Sequence, residues 1–439
     1  MTFKNSSFLG NKTRRDEQAI AIGSCLDTRP TNASNTEISW GLLICLIACF
    51  VNSGCTGNEP RNLTDLKKSI VASNNAFALE LYGRLKTTND NLFFSPFSIS
   101  SCLVMTYAGA RNNTASQMAD VLHFGTNQIQ SEFGDLNRLL NRTENKNGIE
   151  LITANGLWLQ SGHALSPEFL TNARQHYDAE VKQVEFGDNS DLARADINKW
   201  VKEKTKGKIA DIIPPGILSR DAKLVLINAI FFKGTWKTKF DRKQTRDFQF
   251  HLNDHETVQC SMMFSSGSFR HSYSAVESLS CQVIELPYKG EDFSLIAILP
   301  LEWTGLAELE SKLTETNLAN LLASVQETKI HVCLPKFKLE TDFNLGETLS
   351  AMGMTDAFNM NADFSGMDGT KKLFISSARH RALVEMNEDG TTAAAATASH
   401  VAKKSKQASF CADHPFLFLI RDNRTRSIVF MGRLVNPTK

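Results

Sequence analysis

From about Asp65 the chain settles into regular hydrophobic spacing. Leu66, Ile70, Phe77, Leu81 and Leu85 fall on steps of four and seven, which places them on one face of an amphipathic helix. Ser98 to Met105 and Ala115 to Leu122 are also helix-like. Leu224 to Phe232 is apolar except for Asn228, and so short a saturated run predicts a strand buried on both faces. Phe293 to Leu299, closed by Pro300, predicts another strand. Near the C-terminus, Phe416 to Ile420, a polar turn from Arg421 to Arg426, and Ser427 to Met431 predict a hairpin. No repeat or low-complexity linker interrupts residues 60–439, so the pattern predicts one α+β body there.

The N-terminus reads differently. Residues 1–37 are polar, mixed in charge and without periodicity, the signature of a disordered extension. Within 38–53, Trp40 to Val51 forms an uncharged apolar run of signal-peptide length, short for a membrane span. Val51-Asn52-Ser53 suits cleavage before Gly54, although no compact basic region precedes the run. The expectation is a cleaved signal and a secreted, extracellular protein. A retained signal anchor in the membrane and a dispensable extension on a cytoplasmic protein are the alternatives.

Composition then removes whole classes. The 439 residues allow about three domains by length alone. A hydrophobic share of 42% with 22% charged residues excludes wholesale disorder and collagen. Lys plus Arg total 48 against 47 for Asp plus Glu, so the net charge gives no sign of a nucleic-acid partner. The 28 Phe point to a large dry core. Nine scattered Cys without a CxxC spacing do not read as a disulfide framework or a zinc site. Asn-x-Ser/Thr triplets occur at Asn5, Asn11, Asn32, Asn62, Asn112, Asn141 and Asn423; in a secreted chain Asn62, Asn112, Asn141 and Asn423 are the candidate glycosylation sites.

Enzyme signatures are scarce. GxSxG, HExxH, GxGxxG and GxxxxGK[ST] are all missing from the sequence. A Ser/His/Asp triad stays open, since its members lie far apart in sequence. His251 and His255 flank Asn253 and Asp254, which reads as an exposed turn rather than a metal site. No metal or cofactor is expected. Lys233, Trp236, Lys237, Lys239, Phe240, Arg242 and Lys243 form a basic stretch with aromatics. It reads first as a solvated strand face and second as a weak polyanion site.

One segment does not suit a folded core. Glu388-Asp389-Gly390-Thr391-Thr392 opens a run of small residues, Ala393, Ala394, Ala395, Ala396, Thr397, Ala398 and Ser399. His400 to Gln407 follows, with Lys403, Lys404 and Lys406. A flexible linker or an Ala-rich helix would fit the small-residue run alone. Yet it stands between a strand-like Ala382 to Met386 and the terminal hairpin, and a long exposed loop within a compact body is usually functional. Small side chains on both faces would let it enter a sheet as a strand. The basic tip suits a trypsin-like protease.

These segments, taken with Asn91 to Ser100, Asn228 to Trp236, Ala362 to Met367 and Ala412 to Phe418, resemble the serpin family over roughly 65–439, most closely its ovalbumin-like branch. The resemblance implies a single domain with three β-sheets, about nine helices and a reactive loop at about 388–409. It implies suicide inhibition: a protease cleaves the loop, and the freed hinge side inserts into the main sheet while the acyl-enzyme persists. Carried over, Glu388, Asp389, Gly390, Thr391, Thr392 and Ala393 to Ala396 form the hinge. The scissile bond falls sixteen residues after Glu388, at Lys404-Ser405, with Lys403 or Lys406 as alternatives. Ser95, Ser98, Asn228 and His380 match the shutter, and Trp236 the point of loop insertion. Asp389 and Thr392 stand where the family usually carries Glu. The implied partner is a trypsin- or plasmin-like serine protease bound covalently by a monomer. A non-inhibitory carrier, chaperone or storage protein is the alternative, and an enzyme or polyanion binder on the same scaffold is a third.

Overall fold

The computed structural model describes residues 63–87, 89–124, 129–141, 147–274, 279–390 and 408–439. Helix α1 (Leu63–Leu85) carries the apolar stripe, with Ile70, Phe77 and Leu81 buried. Strand β1 (Leu92–Phe94) leads into α2 (Pro96–Tyr107). Ser95 caps α2 by accepting a hydrogen bond from Ser98 N at 3.1 Å, and Pro96 occupies the first turn, where no N–H is needed. Every residue from Pro96 to Thr106 is buried, including the small polar Ser98, Ser100, Ser101 and Thr106, so the helix is enclosed on all sides. Helices α3 (Asn112–Val121) and α4 (Ile129–Asn141) follow.

A five-stranded sheet holds the centre. Its strands are β2 (Ile149–Gln160), β3 (Glu180–Val184), β4 (Leu224–Gly234), β10 (Phe337–Asn344) and β11 (Ile375–Met386), in the order β10-β11-β4-β2-β3. Helices α5 (Pro167–Tyr177) and α6 (Ser190–Lys204) lie between them in sequence. β10 and β11 are antiparallel, as are β4 and β2; β11 and β4 run parallel, as do β2 and β3. β4 is buried from Leu224 to Phe232, as its composition predicts. Its alternate side chains serve two cores. Leu224, Leu226, Ile230 and Phe232 join the main core with α2, while Val225, Ile227, Ala229 and Phe231 pack with Ile197 and Val201 of α6. Asn228 shares the parity of the first set and so faces α2.

The second sheet has nine strands. They are β1, β5 (Arg246–His251), β6 (Thr257–Ser274), β7 (Cys281–Pro287), β8 (Phe293–Pro300), β9 (Gln326–Pro335), β12 (Ala408–Cys411), β13 (Phe416–Asp422) and β14 (Ile428–Leu434). β13 and β14 form the expected antiparallel hairpin. The described residues thus show two sheets where three were expected. The reason is β6: of its 18 residues, Thr257–Met262 pair with β5, Met262–His271 with β9 and Arg270–Ser274 with β7, making one continuous ladder of two groups.

Helices α7 (Leu306–Ser311), α8 (Glu315–Ser324), α9 (Gly346–Ala351) and α10 (Ser365–Asp368) bring the described α-helices to ten, against about nine expected. Asp363, just before α10, ties two distant segments. Its carboxylate accepts from Asn112 at 2.7 Å and from Lys371 at 2.8 Å, and its carbonyl accepts from Arg111 N at 2.8 Å. Burial opposes its ionisation, but the bonds from Lys371, Ser365 and Asn112 hold the carboxyl far below the usual range. Arg61–Lys439 forms one compact unit. The hydrophobic segment 38–53 lies outside the described residues, among which no helix is long and apolar enough to cross a membrane.

Among the described residues the cysteines hold one bridge. Cys333 of β9 and Cys411 of β12 are register partners, with Cα atoms 4.5 Å apart, and they form a disulfide. Sequence spacing could not reveal it, because 78 residues separate the pair. Cys102, Cys260 and Cys281 are buried thiols, and burial pushes the first up to about 12. A bridge closing a loop of this length should stabilise the fold by about 2–4 kcal/mol. Replacing Cys333 and Cys411 together by Ser should lower the denaturant midpoint accordingly, and reducing the native protein should shift it by a similar amount.

Candidate functional site

The seam between β11 and β4 carries a polar row in an apolar sheet. Register places Phe343 of β10, His380 of β11, Asn228 of β4 and Asn155 of β2 side by side across four strands. Asn228 Nδ2 donates to Ser98 O at 3.0 Å, to Ser98 Oγ at 2.6 Å and to Asn155 Oδ1. Asn228 Oδ1 accepts from His380 Nδ1. His380 Nε2 accepts from the backbone N–H of Ser95 at 3.1 Å, and Ser95 Oγ donates to Val429 O at 2.7 Å. These bonds require a neutral ring protonated at Nδ1. The Phe343 ring lies parallel to that of His380, 6.5 Å away.

All four residues expected at the shutter therefore stand together, joined by a fifth, Asn155. Asn155 had the same signal as Asn228, a polar residue inside an apolar strand run. The cluster is fully paired only while β11 and β4 are adjacent, since the His380–Asn228 bond crosses the seam.

The hinge sits at the top of this seam, at the common C-terminal ends of β11 and β4. Asn387 N donates to Gly390 O at 3.3 Å and Gly390 N returns to Asn387 O at 3.0 Å, closing a tight turn around Glu388 and Asp389. Gly390 has φ +95°, and a Cβ there would lie 2.1 Å from Gly234 O and 2.5 Å from Trp236 N. Only glycine fits that contact and that backbone conformation. Trp236 lies beneath the turn, stacked on Tyr288 at 4.5 Å, with its Nε1 donating to Asn387 O at 2.9 Å. Its backbone N donates to Asp389 O, and Phe240 N donates to Glu388 O, both at 2.9 Å.

Both acidic side chains of the turn are buried and ion-paired. Asp389 meets Lys239 at 3.2 Å and also Arg242, while Glu388 meets Lys336 at 3.1 Å. Burial works against the charge on Glu388, but hydrogen bonds and the Lys336 ammonium hold its carboxyl below the usual range. An adjoining cleft of about 530 Å³ is lined by Arg242, Lys336, Lys338, Glu385, Asn387 and Glu388 among others. The basic stretch is thus not simply a solvated strand face, because Lys239 and Arg242 grip the hinge. Lys336 had no signal in the sequence, lying 52 residues from its partner.

Other expected residues fall elsewhere. Thr391, Thr392, Ala393 to Ala396, Lys403, Lys404, Ser405, Lys406 and Asn62 lie outside the described residues. Asn112 donates its amide to Asp363, and Asn423 donates to Glu291 O at 2.9 Å and Ser294 Oγ at 2.7 Å. Asn141 ends α4. His251 stacks on Trp303 at 3.7 Å.

Comparisons with known proteins agree with this geometry. The family profile described as serpin (serine protease inhibitor) matches residues 72–437. The leukocyte elastase inhibitor of Bos taurus is 41% identical over 380 residues, covering 84% of this chain and all of that protein. Its counterpart from Homo sapiens is 40% identical with the same coverage. Among solved structures, uncleaved ovalbumin superposes with a TM-score of 0.77 at 32% identity, over 84% of this chain and all of that one.

His380 makes the seam sensitive to acid. Burial lowers its pKa to about 3, below the ordinary histidine value, so the unfolded chain binds the proton more readily. The contribution is complete above about pH 6.5 and declines as pH falls toward 3, by a few kcal/mol. The stability gap between wild type and His380→Gln, measured by denaturant unfolding, should therefore narrow as pH falls through that window. A gap constant with pH would show that His380 is not buried neutral.

Proposed function

The chain belongs to the serpin family, and from that premise we propose that it inhibits trypsin-like serine proteases as a suicide substrate. One observation carries the reading. β11 and β4 are parallel neighbours at the centre of the sheet, and the hinge turns back at the top of their seam. A strand entering there from Gly390 would run antiparallel to both neighbours, replacing one parallel contact with two antiparallel ones.

The chemistry starts at the loop. The protease serine Oγ attacks the Lys404 carbonyl, an ester to Lys404 forms, and the amine of Ser405 departs. The segment from Thr391 is then tethered at the hinge alone and can enter the seam. The small residues Thr391 to Ala398 suit such a strand, since neither face needs room for a large side chain. Insertion pulls the acylated protease from its docking position before water cleaves the ester. Trapping succeeds only when insertion outruns deacylation, so the native state is a kinetic one.

Specificity rests on the count of sixteen residues from Glu388, which gives Lys404. The relatives above are named elastase inhibitors, whereas lysines at 403, 404 and 406 suit an acidic specificity pocket here. Val401 stands where furin-like enzymes want Arg, which favours trypsin- or plasmin-like enzymes. The alternative of a non-inhibitory carrier has less support, because the hinge keeps Gly390 and Thr391 with the alanine run.

Two substitutions separate recognition from trapping. Lys404→Ala should abolish trapping of trypsin-like enzymes, and the cleaved wild-type peptide should begin at Ser405. Thr391→Arg should leave cleavage intact but turn the protein into a substrate without an SDS-stable complex, because an unpaired charge entering the seam costs several kcal/mol. Undiminished trapping by Thr391→Arg would overturn insertion through this hinge.

We also propose secretion after cleavage before Gly54. The apolar run from Trp40 to Val51 supports it, and the Cys333–Cys411 bridge fits an oxidising compartment. Protein recovered from culture medium should begin near Gly54 and carry glycans, with Asn62 and Asn141 the favoured positions. N-terminal sequencing with glycosidase digestion tests this, and a carbonate-resistant intact form or an unmodified cytosolic protein would refute it.

A further inference from the structure

We propose that Lys239 and Arg242, gripping Asp389 from the segment after β4, hold the hinge as a finished hairpin turn, and that this clamp sets how often the cleaved loop inserts before the protease escapes. The proposal rests on the inhibitory reading above and assigns positioning residues to it.

The turn is already closed in the uncleaved chain. Asn387 and Gly390 exchange backbone hydrogen bonds as an antiparallel pair, so Glu388 and Asp389 form its tip. The Asn387–Gly390 pairing is antiparallel, the sense in which an inserted strand would have to run beside β11. The residues that would enter the seam begin after Gly390. Glu388 and Asp389 stay at the tip, so their ion pairs need not break during insertion.

The flanks of the turn suit it: the Asn387 side chain accepts from Asp389 N at 3.1 Å, and Gly390 takes a positive φ at the fourth position. The tip is the costly part. Here the two central residues are adjacent carboxylates, buried at 6% and 4% exposure, and neither has positive φ. Two neighbouring anions out of water repel each other and need cations. Lys239 and Arg242 meet Asp389, Lys336 meets Glu388, and the N–H groups of Trp236 and Phe240 take the tip carbonyls. The clamp offsets the charge that the turn buries at its tip.

The kinetic consequence follows from the order of events. Closing a turn spends conformational entropy before any strand contact rewards it. With the turn made beforehand, the freed segment needs only to extend an existing pairing. Without the clamp, turn formation enters the race against deacylation.

The test is a split between recognition and trapping. Asp389→Asn and the double variant Lys239→Ala/Arg242→Ala should consume several-fold more inhibitor per trypsin trapped than wild type. The rate of first recognition at the loop should stay within about twofold, because the protease docks on the loop and not on the hinge tip. Arg242 is 60% exposed, so its removal leaves little cavity, and Arg242→Lys should restore most of the trapping. Raised salt should weaken trapping in wild type more than in the double variant. Unchanged or improved trapping in the double variant, or an equal fall in recognition and trapping, would overturn the proposal.

A second readout does not need inhibition. A metalloprotease, which forms no acyl-enzyme, can cut the loop while Trp236 fluorescence follows insertion. Slower fluorescence change in the double variant upholds the clamp even if wild type traps no serine protease, a result that would sink the inhibitory reading alone. Equal rates in variant and wild type would refute the clamp.

Discussion

The contact between β11 and β4 is the constraint on which the rest of the molecule turns. Two parallel strands lie side by side in the middle of the sheet, with a polar row embedded in their seam. Parallel pairing is slightly weaker per residue than antiparallel pairing, yet here it occupies the best-buried position in the sheet. His380 and Asn228 satisfy each other across the seam, and Ser95, Ser98 and Asn155 satisfy what remains. Parting the strands would leave several buried polar groups without partners, so the closed seam is locally stable even if another arrangement lies lower.

The surroundings of the seam follow from this. α2 is buried on every side because it must carry Ser95 and Ser98 to the row while filling the core between the two sheets. β4 is apolar on both faces because α2 lies on one and α6 on the other, and Asn228 is the single exception on the α2 side. At the upper end, the hinge is fixed by backbone hydrogen bonds to Trp236 and Phe240 and by three cations around two carboxylates. The proposed mechanism uses these as two checks: a polar row about 20 Å down the seam resists early opening, and a preformed turn above it aims the chain.

Much of this was legible in the chain. The four-and-seven spacing of α1, the saturated run of β4 and the terminal hairpin depend on neighbours in sequence, and all appear where the periodicity placed them. His380, flanked by Arg379 and Arg381, was marked only by the family resemblance; Asn228 stood out as a polar residue in an apolar run, and such a residue needs partners. Asn155 carried the same signal but no motif drew attention to it. The merging of two strand groups along β6 was not legible, because a ladder's continuity depends on which strands lie beside it.

By itself the sequence determined the local elements, the family resemblance, and the small-residue hinge ahead of a cluster of lysines. Each depends on residue order, which survives without a fold. Only the tertiary structure decided that Lys336 would meet Glu388, that Lys239 and Arg242 would grip Asp389 rather than line a solvated strand face, and that Cys333 would pair with Cys411. Those partners lie 52 to 150 residues apart. Electrostatic and covalent pairing depends on distance in space, and neither spacing nor composition encodes that distance until the strands have found their register.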